Sequence, residues 1–109
     1  MAWKVEEYAL QMAEGDYGIK LPFTINGTEL TANDTIEITF KRVKNGDDIL
    51  VKPYTGSAIV NNGFDLELTK EESDLFRPGC YVYRLDWYQN GIFMCNIILC
   101  GMFKVVDKA

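Results

Sequence analysis

The chain has 109 residues, of which 48% are apolar and 13% aromatic, and its formal net charge is −5. This composition excludes a disordered chain, and the length suits a single domain that builds its own core. Eleven basic against sixteen acidic residues exclude the cationic surface that a nucleic-acid-binding protein needs.

The residue content argues against acid–base catalysis and against metal binding. The chain has no histidine, the most common general base and metal ligand. Cys80, Cys95 and Cys100 lack a metal-binding spacing and have apolar neighbours, so we interpret them as reduced thiols that pack as small hydrophobic side chains. There is no membrane-spanning apolar run and no apparent signal peptide. We therefore expect no enzyme activity, cofactor, metal site or membrane contact, and folding in a cytoplasm.

The first part of the chain predicts short strands separated by turns that contain Asn-Gly pairs. Pro22 and Pro53 indicate edge strands, because proline cannot donate to a sheet ladder. The predicted strands lie in the apolar or alternating segments 8–12, 18–25, 35–43, 49–54, 57–60 and 64–68.

A short helix follows these strands. Thr69 and Glu72 have the S/T-x-x-E spacing of a capping box, in which each side chain satisfies a free backbone N–H of the other residue. Pro78-Gly79 ends the helix, which is therefore predicted near residues 70–76.

The segment from Cys80 to Phe103 predicts a long hairpin. Asn90-Gly91 fits a type I′ turn, with Tyr88 across from Phe93. The same turn predicts three further pairs, which are Gln89 with Ile92, Trp87 with Met94, and Leu85 with Asn96. Alternation predicts an inward face on the first strand, formed by Tyr81, Tyr83, Leu85 and Trp87. Asn96 and Gly101 are candidates for β-bulges.

These elements favour an all-β fold, an immunoglobulin-like antiparallel β-sandwich of seven to eight strands that forms one domain over residues 1–109. Tyr81 follows a helical turn and Gly79, as the tyrosine does in the tyrosine corner of such domains. Tyr83 stands where antibody domains carry their second disulfide cysteine, so the predicted sandwich has no disulfide.

Three groups of residues have both a functional and a structural interpretation. Asp47-Asp48 provides oxygen ligands for calcium, but the spacing misses the EF-hand pattern and suits a turn. The carboxylates of Glu71, Glu72 and Asp74 suit the start of a helix, and we assign them no catalytic role. Tyr88 and Phe93 suit either ordinary cross-strand packing or a contact surface.

Trp3 is a further candidate for the contact surface, because an apolar side chain near a terminus docks either on its own domain or on a neighbouring subunit. We therefore predict an interaction surface of Tyr88, Phe93 and Trp3. The predicted structural residues are Tyr81, Thr69, Glu72, Asn90 and Gly91.

One stretch resembles a known family. It runs Leu66-Glu67-Leu68-Thr69…Glu72-Ser73…Leu75…Gly79-Cys80-Tyr81-Val82-Tyr83, followed by Leu85-Asp86-Trp87-Tyr88-Gln89-Asn90-Gly91. This stretch resembles the N-terminal domain of phage baseplate upper proteins and related small prophage tail proteins. Gly15-Asp16, Ile19-Lys20-Leu21-Pro22 and Phe103-Lys104-Val105 are also similar in character.

The resemblance implies a non-enzymatic structural protein of a phage or prophage tail or baseplate, located in the virion tail after folding in the host cytoplasm. Its partners would be other tail or baseplate subunits or further copies of itself. Larger relatives continue into coiled-coil and receptor-binding regions, so we expect an adaptor or decoration role for this chain. The alternative hypothesis is a small glycan- or ligand-binding β-sandwich.

Overall fold

The computed structural model describes residues 4–6 and 9–108, with side chains from Ala9 onward. The strands are β1 (Lys4–Glu6), β2 (Ala9–Ala13), β3 (Leu21–Thr24), β4 (Asp34–Lys41), β5 (Asp48–Thr55), β6 (Gly63–Leu66), β7 (Gly79–Gln89) and β8 (Ile92–Val106), and the α-helix is α1 (Lys70–Ser73). The predicted all-β class with a short crossover helix is confirmed. The strand predicted at 57–60 is wrong, because Gly56–Ala58 forms a 3-10 turn there.

The described strands form a six-stranded sheet in the order β1-β2-β8-β7-β4-β5 and a two-stranded sheet of β3 and β6. Neighbouring strands are antiparallel except β2 and β8, which run parallel with Leu10 opposite Phe103. The prediction of an entirely antiparallel arrangement is therefore wrong at this pair. Parallel neighbours need a long crossover connection, and most of the chain lies between these two strands.

The core lies between the two sheets and follows from the alternation on β4. Ile36, Ile38 and Phe40 point to one face of β4 and have no exposed surface. They belong to the same buried apolar cluster as Phe64 and Leu66 of the smaller sheet. Because successive side chains on a strand point to opposite faces, one alternating strand supplies much of one core wall.

The capping box is formed and joins α1 to the large sheet. Thr69 Oγ1 accepts a hydrogen bond from the Glu72 N–H at 3.2 Å, and Glu72 Oε1 accepts one from the Thr69 N–H at 2.9 Å. Lys52 of β5 reaches the same Glu72 oxygen at 2.8 Å and also donates to the Glu67 carbonyl. A single glutamate thus caps the helix and links it to the edge strand β5.

Tyr81 holds the crossover that leads into β7. Its hydroxyl donates to the Arg77 carbonyl at 2.8 Å and accepts from the Arg77 N–H at 3.0 Å. Its ring packs edge-on against Phe76, with centroids 5.1 Å apart. The side chain therefore satisfies both backbone polar groups of a residue that lies outside any strand or helix.

Tyr83 is fully buried on β7 and lies against the backbone of Gly101 on β8. A Cβ atom at position 101 would lie only 2.4 Å from two carbons of the Tyr83 ring. Glycine is therefore required at this position by close approach of a side chain to the backbone.

The β7–β8 hairpin has the predicted turn but a different register. Asn90 and Gly91 have φ angles of 51° and 81°, as a type I′ turn requires, and Tyr88 lies opposite Phe93. Beyond that pair, three register shifts each place an additional residue on β8. Trp87 therefore lies opposite Cys95, and the partner predicted for it is wrong.

The same shifts displace the rest of the predicted pairing. Leu85 lies opposite Ile98, and Asn96 lies opposite Asp86. Asn96 lies in the bulged part of β8, as predicted, because the register shifts before and after the segment in which it pairs. A further shift separates the Tyr83–Gly101 pair from the Leu85–Ile98 pair, next to the bulge predicted at Gly101. Bulges bend a strand and increase its local twist, so β8 turns away from a flat sheet.

We expect the Tyr81→Phe variant to unfold with a free energy lower by about 1–3 kcal/mol, because both backbone groups of Arg77 lose their partner. Urea denaturation monitored by circular dichroism measures this change. Tyr17→Phe is the matched control, since Tyr17 is 53% exposed, and its free energy of unfolding should stay within about 0.5 kcal/mol of the wild-type value. Equal stabilities of the two variants would contradict the role assigned to the Tyr81 hydroxyl.

Candidate interaction surface on the hairpin

The predicted aromatic pair lies next to the hairpin turn. The Tyr88 and Phe93 rings meet edge-on, with centroids 5.6 Å apart and planes at 70°. Phe93 is 51% exposed and Tyr88 is half-buried beneath it. Cross-strand packing and exposure therefore coexist in this pair, since the contact leaves about half of the Phe93 side chain open to a partner.

The Tyr88 hydroxyl lies among acidic neighbours. Burial raises the pKa of Tyr88, and the carboxylates of Glu37 and Asp86 raise it further. The hydroxyl is therefore protonated at neutral pH and can donate a hydrogen bond.

A buried carboxylate connects the bulged part of β8 to β7. Asp86 is 3% exposed and accepts a hydrogen bond from Arg84 Nε at 2.8 Å and another from the Asn96 side-chain amide. Asn96 itself is exposed, and this contact gives its side-chain amide a partner. The charge of Asp86 is thus paired, and the outer face of the hairpin gains a polar connection between strands where the register is irregular.

A second buried carboxylate, that of Asp34, holds the indole ring of Trp87 by a hydrogen bond. Asp34 has no exposed surface, and it accepts hydrogen bonds from the Thr31 N–H at 2.7 Å and from Trp87 Nε1 at 3.0 Å. Trp87 is half-buried, whereas the sequence predicted a core position for it. Burial alone would raise the pKa of Asp34, but the hydrogen bonds from Thr31 and Trp87 outweigh it and hold the pKa below its ordinary value of 3.8.

The exposed apolar side chains of the molecule are concentrated on β8. Among the described residues, ten large hydrophobic side chains are exposed, and five of them belong to this one strand. These five are Ile92, Phe93, Met94, Leu99 and Met102. We call residues 92–102 the β8 apolar stretch. Exposed apolar side chains concentrated on one strand mark an interaction site more often than scattered single residues do.

A cavity of about 380 Å³ opens beside the β8 apolar stretch. β3 and the two residues after it form one wall, and the other wall comes from Tyr83, Leu85, Ile97 and Ile98, together with Leu10. No residue that lines it is charged. We call it the edge cavity. Its walls offer an apolar partner contact area but few of the polar side chains that hold a sugar.

The remaining predicted sites have different outcomes. Trp3 lies outside the described residues. Glu72 is engaged with Thr69 and Lys52, and no group of three His, Cys, Asp or Glu side chains suited to a metal occurs in the described part of the chain. The prediction that the cysteines are packed as small hydrophobic side chains is wrong, because Cys80, Cys95 and Cys100 are all free and exposed.

Sequence reasoning found the aromatic pair but missed Met94, Leu99 and the edge cavity. The sequence contains one signal of this surface. No charged residue and no proline occurs from Trp87 to Phe103, the longest uncharged stretch in the chain. An uncharged strand is ordinary if it is buried, so its meaning depends on the exposure that only the structure gives.

Comparison with known proteins finds no relative of this chain. No protein-family model matches the chain, and neither a curated protein nor a solved structure matches it. Within residues 4–6 and 9–108, no helix is long and apolar enough to span a membrane.

The lowered pKa of Asp34 predicts a pH dependence of stability. A carboxylate whose pKa is lower in the folded state stabilises the fold above its unfolded value, here 3.8, and this contribution is lost as the pH falls through the folded value. We expect the free energy of unfolding to fall below about pH 4, and to fall less steeply in the Asp34→Asn variant. Urea denaturation between pH 2 and pH 6 measures both slopes.

Asp107→Asn, at an exposed position, controls for the change in net charge. Part of the slope should remain in Asp34→Asn, because the pKa of Glu72 is also lowered. Burial alone would raise that pKa, but the hydrogen bonds from Lys52 and Thr69, together with the positive charge of Lys52, outweigh it. Identical slopes in the wild type and Asp34→Asn would contradict this account of Asp34.

Proposed function

We propose that this chain is a non-enzymatic assembly protein of a phage or prophage tail or baseplate, and that it is an immunoglobulin-like β-sandwich that acts through protein–protein contacts. The observation that carries the assembly role is the β8 apolar stretch. It exposes Phe93, Leu99 and three other large apolar side chains on one strand, with the edge cavity beside them. Monomeric soluble proteins seldom concentrate large exposed apolar side chains on one element.

The immunoglobulin-like assignment is supported by local geometry. The Tyr81 hydroxyl bonds back to the backbone of the preceding crossover, as in a tyrosine corner, and a helical turn precedes β7. Two sheets that enclose one apolar cluster also suit a sandwich. The parallel β2–β8 pair is compatible with this architecture as a variation at one edge of the larger sheet.

The assignment to a tail or baseplate rests on the resemblance of the 66–91 segment to phage baseplate upper proteins and small prophage tail proteins. Thr69, Glu72, Tyr81 and Asn90-Gly91 belong to that segment, and each has a defined structural task in it. Partners in this proposal are other tail or baseplate subunits, and the location is the virion tail. Most side chains that line the edge cavity are apolar and none is charged, which suits a contact with another protein.

Mass spectrometry of tailed particles, purified from an induced lysogen that carries this gene, tests the proposal. We expect the chain in the particles at a fixed ratio to the tail subunits. Particles that assemble normally without containing the chain would overturn the assignment.

The same particles test the surface. Phe93→Asp should reduce incorporation at least tenfold, because a carboxylate in an apolar interface must be desolvated without a partner. Val51→Asp is the matched control, since Val51 is 40% exposed on β5, which β4 and β7 separate from β8. Circular dichroism verifies that both variants fold. Equal incorporation of the two would exclude the hairpin as the contact surface.

A further inference from the structure

The outer face of the large sheet, which points away from the smaller sheet, carries the aromatic pair together with two carboxylates. Residues opposite each other on paired strands share a face of the sheet. Tyr88 lies between Thr35 and Phe93 in one row of this face. Glu37 and Asp86 lie opposite each other in the next row, two positions along their strands. Glu37 is therefore a diagonal neighbour of Tyr88, at a spacing of about 7–8 Å.

The carboxylates in this part of the face outnumber the cations that bond to them. Like charges directly opposite each other, as those of Glu37 and Asp86 are, are unfavourable unless a cation lies close by. Arg84 supplies one cation, and its Nε bonds to Asp86 at 2.8 Å. Glu37 is half-buried and forms no ion pair or side-chain hydrogen bond with another described residue. The three charges therefore leave one negative charge without a partner, at Glu37.

This negative charge lies close to the aromatic pair. Besides burial, the carboxylates of Glu37 and Asp86 raise the pKa of Tyr88, and they do so by more than the charge of Arg84 lowers it. The field at the Tyr88 hydroxyl is therefore negative. Because Glu37 is also a diagonal neighbour of Tyr88, one cationic side chain is long enough to contact the carboxylate and the aromatic pair together.

The aromatic pair offers the same cation a second contact. Phe93 is 51% exposed, and its ring meets that of Tyr88 edge-on at 5.6 Å. The face of an aromatic ring attracts a cation that lies within about 6 Å of its centre. A guanidinium group is planar, so it stacks on such a ring and also donates two parallel hydrogen bonds to a carboxylate. An ammonium group is more strongly hydrated and has no planar surface to stack. The combination of ring and carboxylate therefore suits arginine better than lysine.

We propose that Glu37, Tyr88 and Phe93 bind an arginine side chain of a protein partner, with the guanidinium group stacked on the aromatic pair and bonded to Glu37. We call these three residues the arginine site. Charge complementarity selects this occupant, because the site has one unpaired negative charge and the whole chain carries −5, which attracts cationic surfaces and repels acidic ones. The inference rests on the proposed function and deepens it, since it names the side chain that a tail or baseplate subunit brings to the hairpin.

A nuclear magnetic resonance titration of the purified protein tests the arginine site without particles. The probe is a short capped peptide of glycine and serine with one central arginine, and its control carries citrulline, which has a similar shape but no charge. We expect the ring signals of Tyr88 and Phe93 to shift and saturate with the arginine peptide, at a Kd on the order of 1 mM for a single side chain. The citrulline peptide should bind at least about tenfold more weakly, because it forms neither the ion pair nor the cation–π contact.

A pair of matched variants tests the role of the carboxylate. Glu37→Gln keeps the shape of the side chain and removes its charge, so it should weaken binding of the arginine peptide about tenfold. Glu67→Gln is the control, because Glu67 is half-buried like Glu37 but directly follows β6 of the smaller sheet. Its affinity for the peptide should equal that of the wild type. Circular dichroism and urea denaturation verify that both variants fold.

Equal binding of the arginine and citrulline peptides would overturn the arginine site, and so would equal affinities of Glu37→Gln and Glu67→Gln. A lysine peptide that binds as tightly as the arginine peptide would overturn arginine as the occupant. A protein that enters particles through Phe93 but binds no arginine peptide would leave the proposed function standing and reject this inference. A protein that binds the peptide as described but is absent from particles would reject the proposed function and keep the arginine site.

Discussion

The contact of the Tyr83 ring with the Gly101 backbone fixes the position of β8, and much of the molecule depends on it. β7 pairs with β4 in a regular register, so Tyr83 is held beside Phe40 by its own strand. Gly101 is the point at which β8 must approach that ring. On the C-terminal side of this point, Phe103 and Val105 are buried, and β8 pairs with β2. On the N-terminal side, it is bulged, exposed and open along one edge.

The gap between the two sheets is closed differently on its two sides. On the β5 side, Lys52 extends from the sheet to Glu72 of α1 and to the Glu67 carbonyl, and these polar contacts close the gap between the layers. On the β8 side, no charged side chain lines the gap, and the edge cavity remains. An ion pair at a partly exposed position contributes little stability. An apolar partner that covered this pair would, however, have to remove water from both charges, which costs free energy. In the proposed function, the β5 side is closed within the chain and the β8 side contacts another chain.

Local sequence patterns were sufficient for some of these features. The capping box of Thr69 and Glu72, the Asn90-Gly91 turn and the Tyr81 corner each depend on residues a few positions apart, and each is present as the spacing predicts. The bulges of β8 and the parallel β2 pairing could not be predicted in this way, because they result from packing between distant segments. The aromatic pair was predictable from the turn alone, whereas the edge cavity lies between strands far apart in sequence.

The parallel pairing of β2 with β8 also has a consequence for the order of folding. Leu10 is synthesised well before its partner Phe103, because most of the described chain lies between them. Contacts between such distant segments form late and slow the overall rate, because the loop between them must be closed first. During synthesis, Leu10 and Met12 therefore stay without their neighbour β8 until that strand has been made. A cell that makes this protein in quantity has to keep that nascent segment from aggregating.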